Sequence, residues 1–530
     1  MWAVAALAFA LLRIPYVSVP LERDEGEYAY IAQRSTHGEV PYRDAFDQKP
    51  PGVFLAYRGA FALFGQSIEG IHLFLYAWTA LTAGALFALV RRLAGGLAGA
   101  FAVLVFSIAS TDPRIGGTAA NTEAFMLLPL VGAVYCMLRG LESGRAGWWL
   151  ACGALSAGAC WFKQVAVTNA VFVAAFAAVE LARREGAAAR SVLRVAVWLG
   201  AGAAALSAPP LLYFAVQGAW QPFLDAVVVH NLAYTRSFPL SEGLRVLWLR
   251  LGEQAPGFAV FWMLGLSTLA VPRLAPLRTR ALLGAWLLAA LVGVSTGLYF
   301  RNHYFVQLLP ALAACCGVSL SALASRLVAR PSAVRAWLGA ALLLALLVGP
   351  PVWASRATLW ADSPEAISRE IYGLNPFPES LGIADYIRRT SGPDDRVLIV
   401  GSEPQILFYA ERRSATRYIF FYPLTGGFAD ALERQRESFA EVVASRPLYI
   451  VWVNLPTSLG ATEASEPYLF DAISELLREY RVEFVARPDR RNAGFEFVYG
   501  ALARHLLEAA KEDTSLPWIV VYRRGRAPIG

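Results

Sequence analysis

The feature that most constrains this chain is a series of apolar runs of nearly bilayer length, recurring from the N-terminus to about Pro351. A hydrocarbon layer about 30 Å thick is crossed by ~20 predominantly apolar residues in a helix. Candidate spans cover 1–20, 70–90, 97–111, 122–138, 147–162, 165–182, 193–216, 256–271, 281–298, 304–324 and 335–352. Arginines gather after every second one: Arg91-Arg92, then Arg139 with Arg145, then Arg183-Arg184 with Arg190 and Arg194. Arg273 with Arg278 and Arg280, and Arg326 with Arg330 and Arg335, continue the series. Basic turns stay in the cytoplasm. The 20–69 hairpin, the 111–122 turn, the turn near Lys163, the 217–255 loop, the Arg301 turn and everything after 352 are therefore expected outside it. Hydrophobic residues make up 57% of the 530 and charged ones 16%, far from a soluble average. The net charge of +7 follows from the basic loops and does not call for nucleic acid.

The N-terminus has no basic start and no small-residue cleavage site, so it reads as an anchor. Cys136, Cys152, Cys160, Cys315 and Cys316 all fall in apolar spans without metal-ligand spacing, and read as small buried hydrophobes. Beyond Trp353 the composition becomes that of a soluble domain. Helical patterns at 381–389, 428–445 and 468–480 alternate with strand patterns at 396–400, 447–453 and 518–522, which indicates an α/β layer domain. The expected architecture is a polytopic α-helical membrane domain, 1–352, with about eleven spans, followed by an extracytoplasmic α/β domain, 353–530. Gly401-Ser-Glu-Pro404 follows a strand but lacks the spacing of a nucleotide fingerprint, so no cofactor is assigned.

Between the first two spans, Leu21–Leu55 holds seven carboxylates: Glu22, Asp24, Glu25, Glu27, Glu39, Asp44 and Asp47. Asp24 to Gly38 reads as a surface helix, with Asp24-x-x-Glu27 in the form of a capping box. Pro50-Pro51 opens a second helix, and Lys49 before it is expected to be extended. Three further stretches put polar groups at the same outward face: Asp112, Asn121 and Glu123 in one turn, Lys163 in WFKQ, and Arg301 with His303 in YFRNHYF. The 217–255 loop, with Asp225, His230 and Asn231, reads as a partly helical lid.

Each of these residues has a plain structural use. Asp24 can cap a helix, Lys49 can snorkel, and Glu123 suits a helix N-terminus. Together, at one bilayer surface, they suit a substrate with an anionic headgroup on a lipid tail. Lys49, Lys163, Arg301 and His303 would hold a phosphate, and a carboxylate would take a proton from an acceptor hydroxyl. Fixed cations can stabilise a lipid monophosphate leaving group, so a divalent ion is compatible but not required.

The motifs RDEGEYAYIA, PYRDAFDQKPPG, ANTEAFMLLPL, WFKQVAV and HYFVQLLP, taken in order, resemble the bacterial branch of the dolichyl-phosphate-mannose protein mannosyltransferase family. That family has the membrane glycosyltransferase C fold and is related to the lipid A aminoarabinose transferases. The resemblance covers roughly residues 1–325, with a weaker stretch at GSEPQILFYAERRSATRYIFFYPLTG. It implies inverting transfer of a sugar from a polyprenyl phosphate to a protein, lipid or glycan acceptor, at a bacterial inner membrane. It also implies that Asp24 is the catalytic base and Lys49 the phosphate ligand; to these the outward stretches add Glu25, Asp47, Asp112, Asn121 and Glu123 as supporting acidic and polar candidates. Two positions depart from the aminoarabinose transferases: Gln48 stands where they have glutamate, and Glu27 where they have arginine. A lipid-linked sugar flippase, or an inactive assembly protein of the same fold, would share the spans. A transporter is expected to place its charges near mid-bilayer, whereas these lie at one face.

Overall fold

A computed structural model describes residues 2–184, 188–236, 238–328, 333–490, 494–509 and 516–525. Arg330 of the last basic turn lies outside them. The chain divides into two compact units, one of 1–18, 49–216 and 235–362, the other of 19–48, 217–234 and 363–530.

The first unit is a helix bundle. Among the described residues six helices are long and apolar enough to cross a membrane: Ile68–Ala94, Thr122–Ser143, Gln164–Arg183, Ala189–Val216, Leu277–Ser295 and Asn302–Leu327. Helices also occupy the other expected segments, at Trp2–Leu11, Gly96–Ala109, Ala146–Phe162, Leu240–Ala270 and Ala333–Ala354. The last stretch expected of the 217–255 loop is instead the start of the 31-residue Leu240–Ala270 helix. The polar residues Glu242, Arg245, Arg250 and Glu253 broke its apolar pattern, but Arg245 pairs with Glu242 and Arg250 with Glu253, one turn apart. Such pairs support helix rather than loop.

Apolar exposure sorts these helices. Gly96–Ala109, buried on all sides from Ala98 onward, is the centre of the bundle and packs on Ile68–Ala94 and Leu309–Val328. Ala188–Val216 leaves Leu193, Val197, Leu212 and Val216 more than half exposed, which a lipid solvent favours. Without a hydrophobic force between helices in lipid, small residues set how closely they approach. Gly153 and Gly202 do this where Ala146–Phe162 crosses Ala188–Val216, since a Cβ on either would collide with the carbonyl of Leu199 or Leu150. At the end of the first helix the buried Arg13 is held by the Ser110 hydroxyl at 2.6 Å and the Ser107 carbonyl at 3.3 Å.

The second unit is built on a six-stranded mixed sheet. Its strands are β1 (Arg396–Val400), β2 (Arg413–Ser414), β3 (Tyr449–Val453), β4 (Tyr480–Pro488), β5 (Phe495–Tyr499) and β6 (Ile519–Arg524). Their order is β2-β1-β3-β6-β4-β5; β2 and β3 run parallel to β1, and the remaining pairs are antiparallel. β1, β3 and β6 are the strands legible in the sequence. The expected 468–480 helix stops at Leu476 and the chain turns into β4.

Residues 19–48 fold onto this sheet unit. The Arg23–Ser35 helix lies against Gln405–Ala410, and a side chain at Gly26 would collide with Gln405. Tyr30 accepts the Ser414 amide at 2.8 Å, and Gln33 donates to the Phe408 carbonyl at 3.1 Å. Residues 217–234, helical from Trp220 onward, join the same unit: Asn231 donates to the Gln48 carbonyl at 2.6 Å, and buried His230 packs between the rings of Phe46 and Phe428.

Candidate active site

The acidic helix begins differently from the sequence expectation. Its cap is Glu22, not Asp24. The Glu22 carboxylate accepts the Glu25 amide at 3.3 Å and the Glu25 carboxylate accepts the Glu22 amide at 3.1 Å, a reciprocal box. Glutamate is one methylene longer than the usual cap, and the pattern therefore escaped the S/T/D-x-x-E template. Asp24 sits half-buried in the first turn, where the helix dipole favours a carboxylate, without being the cap.

The charges in this turn are crowded. Burial, and then the negative charges of Asp24 and Glu25, push the Glu22 carboxyl well above the usual carboxylate range. Burial and the same carboxylates push up the Tyr372 phenol. The turn is pinned by Arg23, which donates to the Ser402 carbonyl at 2.9 Å, Asn375 Oδ1 at 3.1 Å and Glu403 Oε1 at 3.2 Å. Glu403 is fully buried, which raises its own carboxyl, and the Ser458 hydroxyl donates to it as well. The GSEP loop is thus the seat of the acidic helix. No sequence signal pairs Arg23 with Glu403, 380 residues away.

In the helical unit three of the expected residues meet. Glu123 in the first turn of Thr122–Ser143 forms an ion pair with Lys163, while His303 Nε2 lies 3.7 Å from the same Glu123 oxygen. The other Glu123 oxygen accepts the Thr122 hydroxyl at 2.9 Å. Lys163 ends the Ala146–Phe162 helix in extended backbone, and its ammonium stands 3.8 Å over the Tyr304 ring. Glu123 and Lys163 are both buried. Tyr304, a cation–π partner worth about 2 kcal/mol when desolvated, was not singled out by sequence. Next to this cluster Gly116 is close enough to His303 that its Cβ would touch the His303 Cβ at 3.5 Å.

Asp112 is buried, accepts the Arg114 amide at 2.9 Å and forms an ion pair with the Arg114 guanidinium. Asn121 occupies the N-cap of Thr122–Ser143 but its side chain makes no capping bond. Arg301 is exposed, 5.7 Å from the Tyr299 ring centre. Lys49 is half-buried in the helical unit, Asp47 fully buried in the sheet unit. Among the described residues no group of three or more His, Cys, Asp or Glu is arranged to hold a metal ion.

Residues 48–214 match the family described as dolichyl-phosphate-mannose-protein mannosyltransferase. Lys49, Asp112, Asn121, Glu123 and Lys163 lie within the match; Asp24, Asp47, Arg301 and His303 lie outside it. No curated protein matches the chain in sequence at a significant level. Among solved structures the chain is similar to ArnT from Cupriavidus metallidurans. The form bound to undecaprenyl phosphate is 18% identical with a TM-score of 0.58, over 85% of this chain and 92% of that one. The apo form is 17% identical with a TM-score of 0.60, over 91% and 95%. The archaeal oligosaccharyltransferase AglB from Archaeoglobus fulgidus, in complex with an inhibitory peptide and a dolichol-phosphate, is 12% identical with a TM-score of 0.51, over 94% and 74%. The chain is thus a multi-pass membrane protein with the glycosyltransferase C fold that its ordered motifs lead one to expect.

Proposed function

We propose that this protein transfers a sugar from a polyprenyl-phosphate donor to the hydroxyl of an extracytoplasmic protein, lipid or glycan acceptor, with inversion at the anomeric carbon. The mannosyltransferase match over 48–214 and the ArnT fold support the reaction class, and the ArnT structure holding undecaprenyl phosphate supports the donor type. Asp24 takes the proton from the acceptor hydroxyl as it attacks. The bond from the anomeric carbon to the phosphate oxygen breaks, and the polyprenyl phosphate leaves with its charge met by Lys49. Lys163, with its charge fixed between Glu123 and Tyr304, together with His303 and Arg301, contributes further cationic character for the donor. The resemblance of the motifs to the bacterial branch of the family supports setting the reaction at the inner membrane of a bacterial cell envelope.

The observation that carries the assignment of the base is the Glu22–Glu25 box. Because those residues make the cap, a capping role does not account for Asp24. The test is Asp24→Asn, in purified protein supplied with polyprenyl-phosphate sugars and membranes from the source cell. Asparagine preserves the polar character of the turn but cannot take a proton. The variant is expected to insert normally, to bind donor, and to lose about 10²–10⁴-fold in transfer rate. Turnover within a few-fold of the parent would remove Asp24 from the role of base.

A further inference from the structure

The sheet unit has two ends with different contents. The GSEP loop, which seats the acidic helix, follows the C-terminal end of β1. At the opposite end, where β1, β3 and β4 begin and β6 finishes, lies an open cavity of about 1310 Å³. The two ends are separated by the five residues of β1, about 16 Å at ~3.3 Å per residue.

The cavity is lined by Arg396, Arg446, Arg481, Arg523 and Arg524. Two of these make an unfavourable sheet pair, because Arg481 on β4 stands directly opposite Arg523 on β6. Like charges facing each other across strands destabilise a sheet. The repulsion is only partly relieved: Arg481 donates to Glu483 at 3.0 Å, and Arg523 lies 5.6 Å from the Tyr449 ring centre. Arg524 donates to the carbonyl of Arg446, a residue in the left-handed region at φ 48°. Arg396 donates to the Ser414 carbonyl at 2.9 Å. A guanidinium carries five N–H donors, so these bonds leave most of the donors of the set unspent. Local conflicts of this kind gather where a surface is kept for binding rather than for stability.

The lining is not purely basic. Asp394, Asp395 and Glu479 share it. Carboxylates would repel a dense polyphosphate or an anionic bilayer, yet they accept hydrogen bonds well from sugar hydroxyls. Guanidiniums hold isolated carboxylate or phosphate groups, often with two parallel bonds. The volume exceeds the roughly 300–1,000 Å³ typical of small-ligand pockets, which favours an extended occupant. We infer that this groove binds an acidic oligosaccharide, its anionic groups on the arginines and its hydroxyls on the three carboxylates. This is a binding site separate from the proposed transfer chemistry, and it stands or falls by binding alone.

The test uses the full-length protein in nanodiscs of zwitterionic lipid, titrated calorimetrically with pentagalacturonic acid, maltopentaose or tripolyphosphate. Pentagalacturonic acid is expected to bind, more weakly as salt rises. An Arg481→Gln/Arg523→Gln variant is expected to bind it about a hundredfold less tightly, the loss of two charge-assisted contacts of about tenfold each. That variant also loses the facing charges, so its unfolding midpoint is expected to equal or exceed the parent's. A lower midpoint would show that the arginines serve the fold, and would overturn the inference. Absent binding of pentagalacturonic acid would overturn it too, as would equal affinity for neutral maltopentaose or tighter binding of tripolyphosphate. Arginine-dependent capture on phosphatidylglycerol vesicles would assign the surface to the membrane instead.

Discussion

The buried Glu123–Lys163 pair offers the sharpest test of the helical unit. Both residues are less than a tenth exposed, so their charges are removed from water. Removing one member leaves an uncompensated buried charge, at a cost of about 3–5 kcal/mol. In Glu123→Ala the Lys163 ammonium would keep the Tyr304 face but lose its counter-ion, and the Thr122 hydroxyl would lose its acceptor. Replacing both members by uncharged groups of similar shape is often neutral. The double variant Glu123→Gln/Lys163→Met is therefore expected to recover most of the stability that either single loss removes. The five cysteines are buried or half-buried, so a fluorogenic maleimide reports their exposure as detergent-solubilised protein is unfolded by denaturant. If Glu123→Ala costs under about 1 kcal/mol, as for a solvated surface pair, the desolvated cluster is refuted. Transfer activity of the stable double variant then separates the roles: a fold element leaves it active, whereas a donor-binding lysine does not.

Lys49→Ala is expected to weaken donor use by about 1.5–3 kcal/mol, the value of a charge-assisted contact, at unchanged expression; unaltered transfer kinetics would leave Lys49 as a snorkelling side chain. Gly202→Ala places a methyl on the Leu150 carbonyl, whereas a Cβ at Gly200 meets open space. Denaturant unfolding should show the first destabilised by about 1–3 kcal/mol and the second unchanged or stabilised by up to about 1 kcal/mol. Burial and its neighbours raise the folded Glu22 carboxyl above its unfolded value. Its contribution is therefore fully present below the unfolded value, about 4.3, and is lost as pH rises through the folded one. Glu22→Gln should flatten the profile above about pH 4.3; identical profiles would show that Glu22 ionises at no cost. A cytoplasm-specific reporter fused after Gly530 should stay dark, and a bright one would overturn the expected topology.

The apolar helices were readable from sequence because lipid imposes a one-dimensional rule: each segment must be apolar over its own length, whatever its neighbours do. The same locality made β1, β3 and β6 legible as short β-branched runs. It failed where a segment's state depends on something distant. At 240–254 the failure was local instead: polar residues broke the apolar pattern, although they pair one turn apart along a helix. The β4–β5 hairpin was hidden because β4 is stabilised by pairing with β6, the last strand in the chain. At the candidate site the sequence supplied the residue types, but contacts decided their duties. Asp24 was read as a possible cap from its spacing to Glu27, while backbone geometry gave the cap to Glu22 and Glu25. Glu123, Lys163 and His303 were three separate stretches until helix packing made them one cluster. Arg23 drew no attention, since its partners in the GSEP loop lie hundreds of residues along the chain. Solvent preference is written residue by residue, whereas charge pairing is a property of distance in space, and only the tertiary structure fixes that distance.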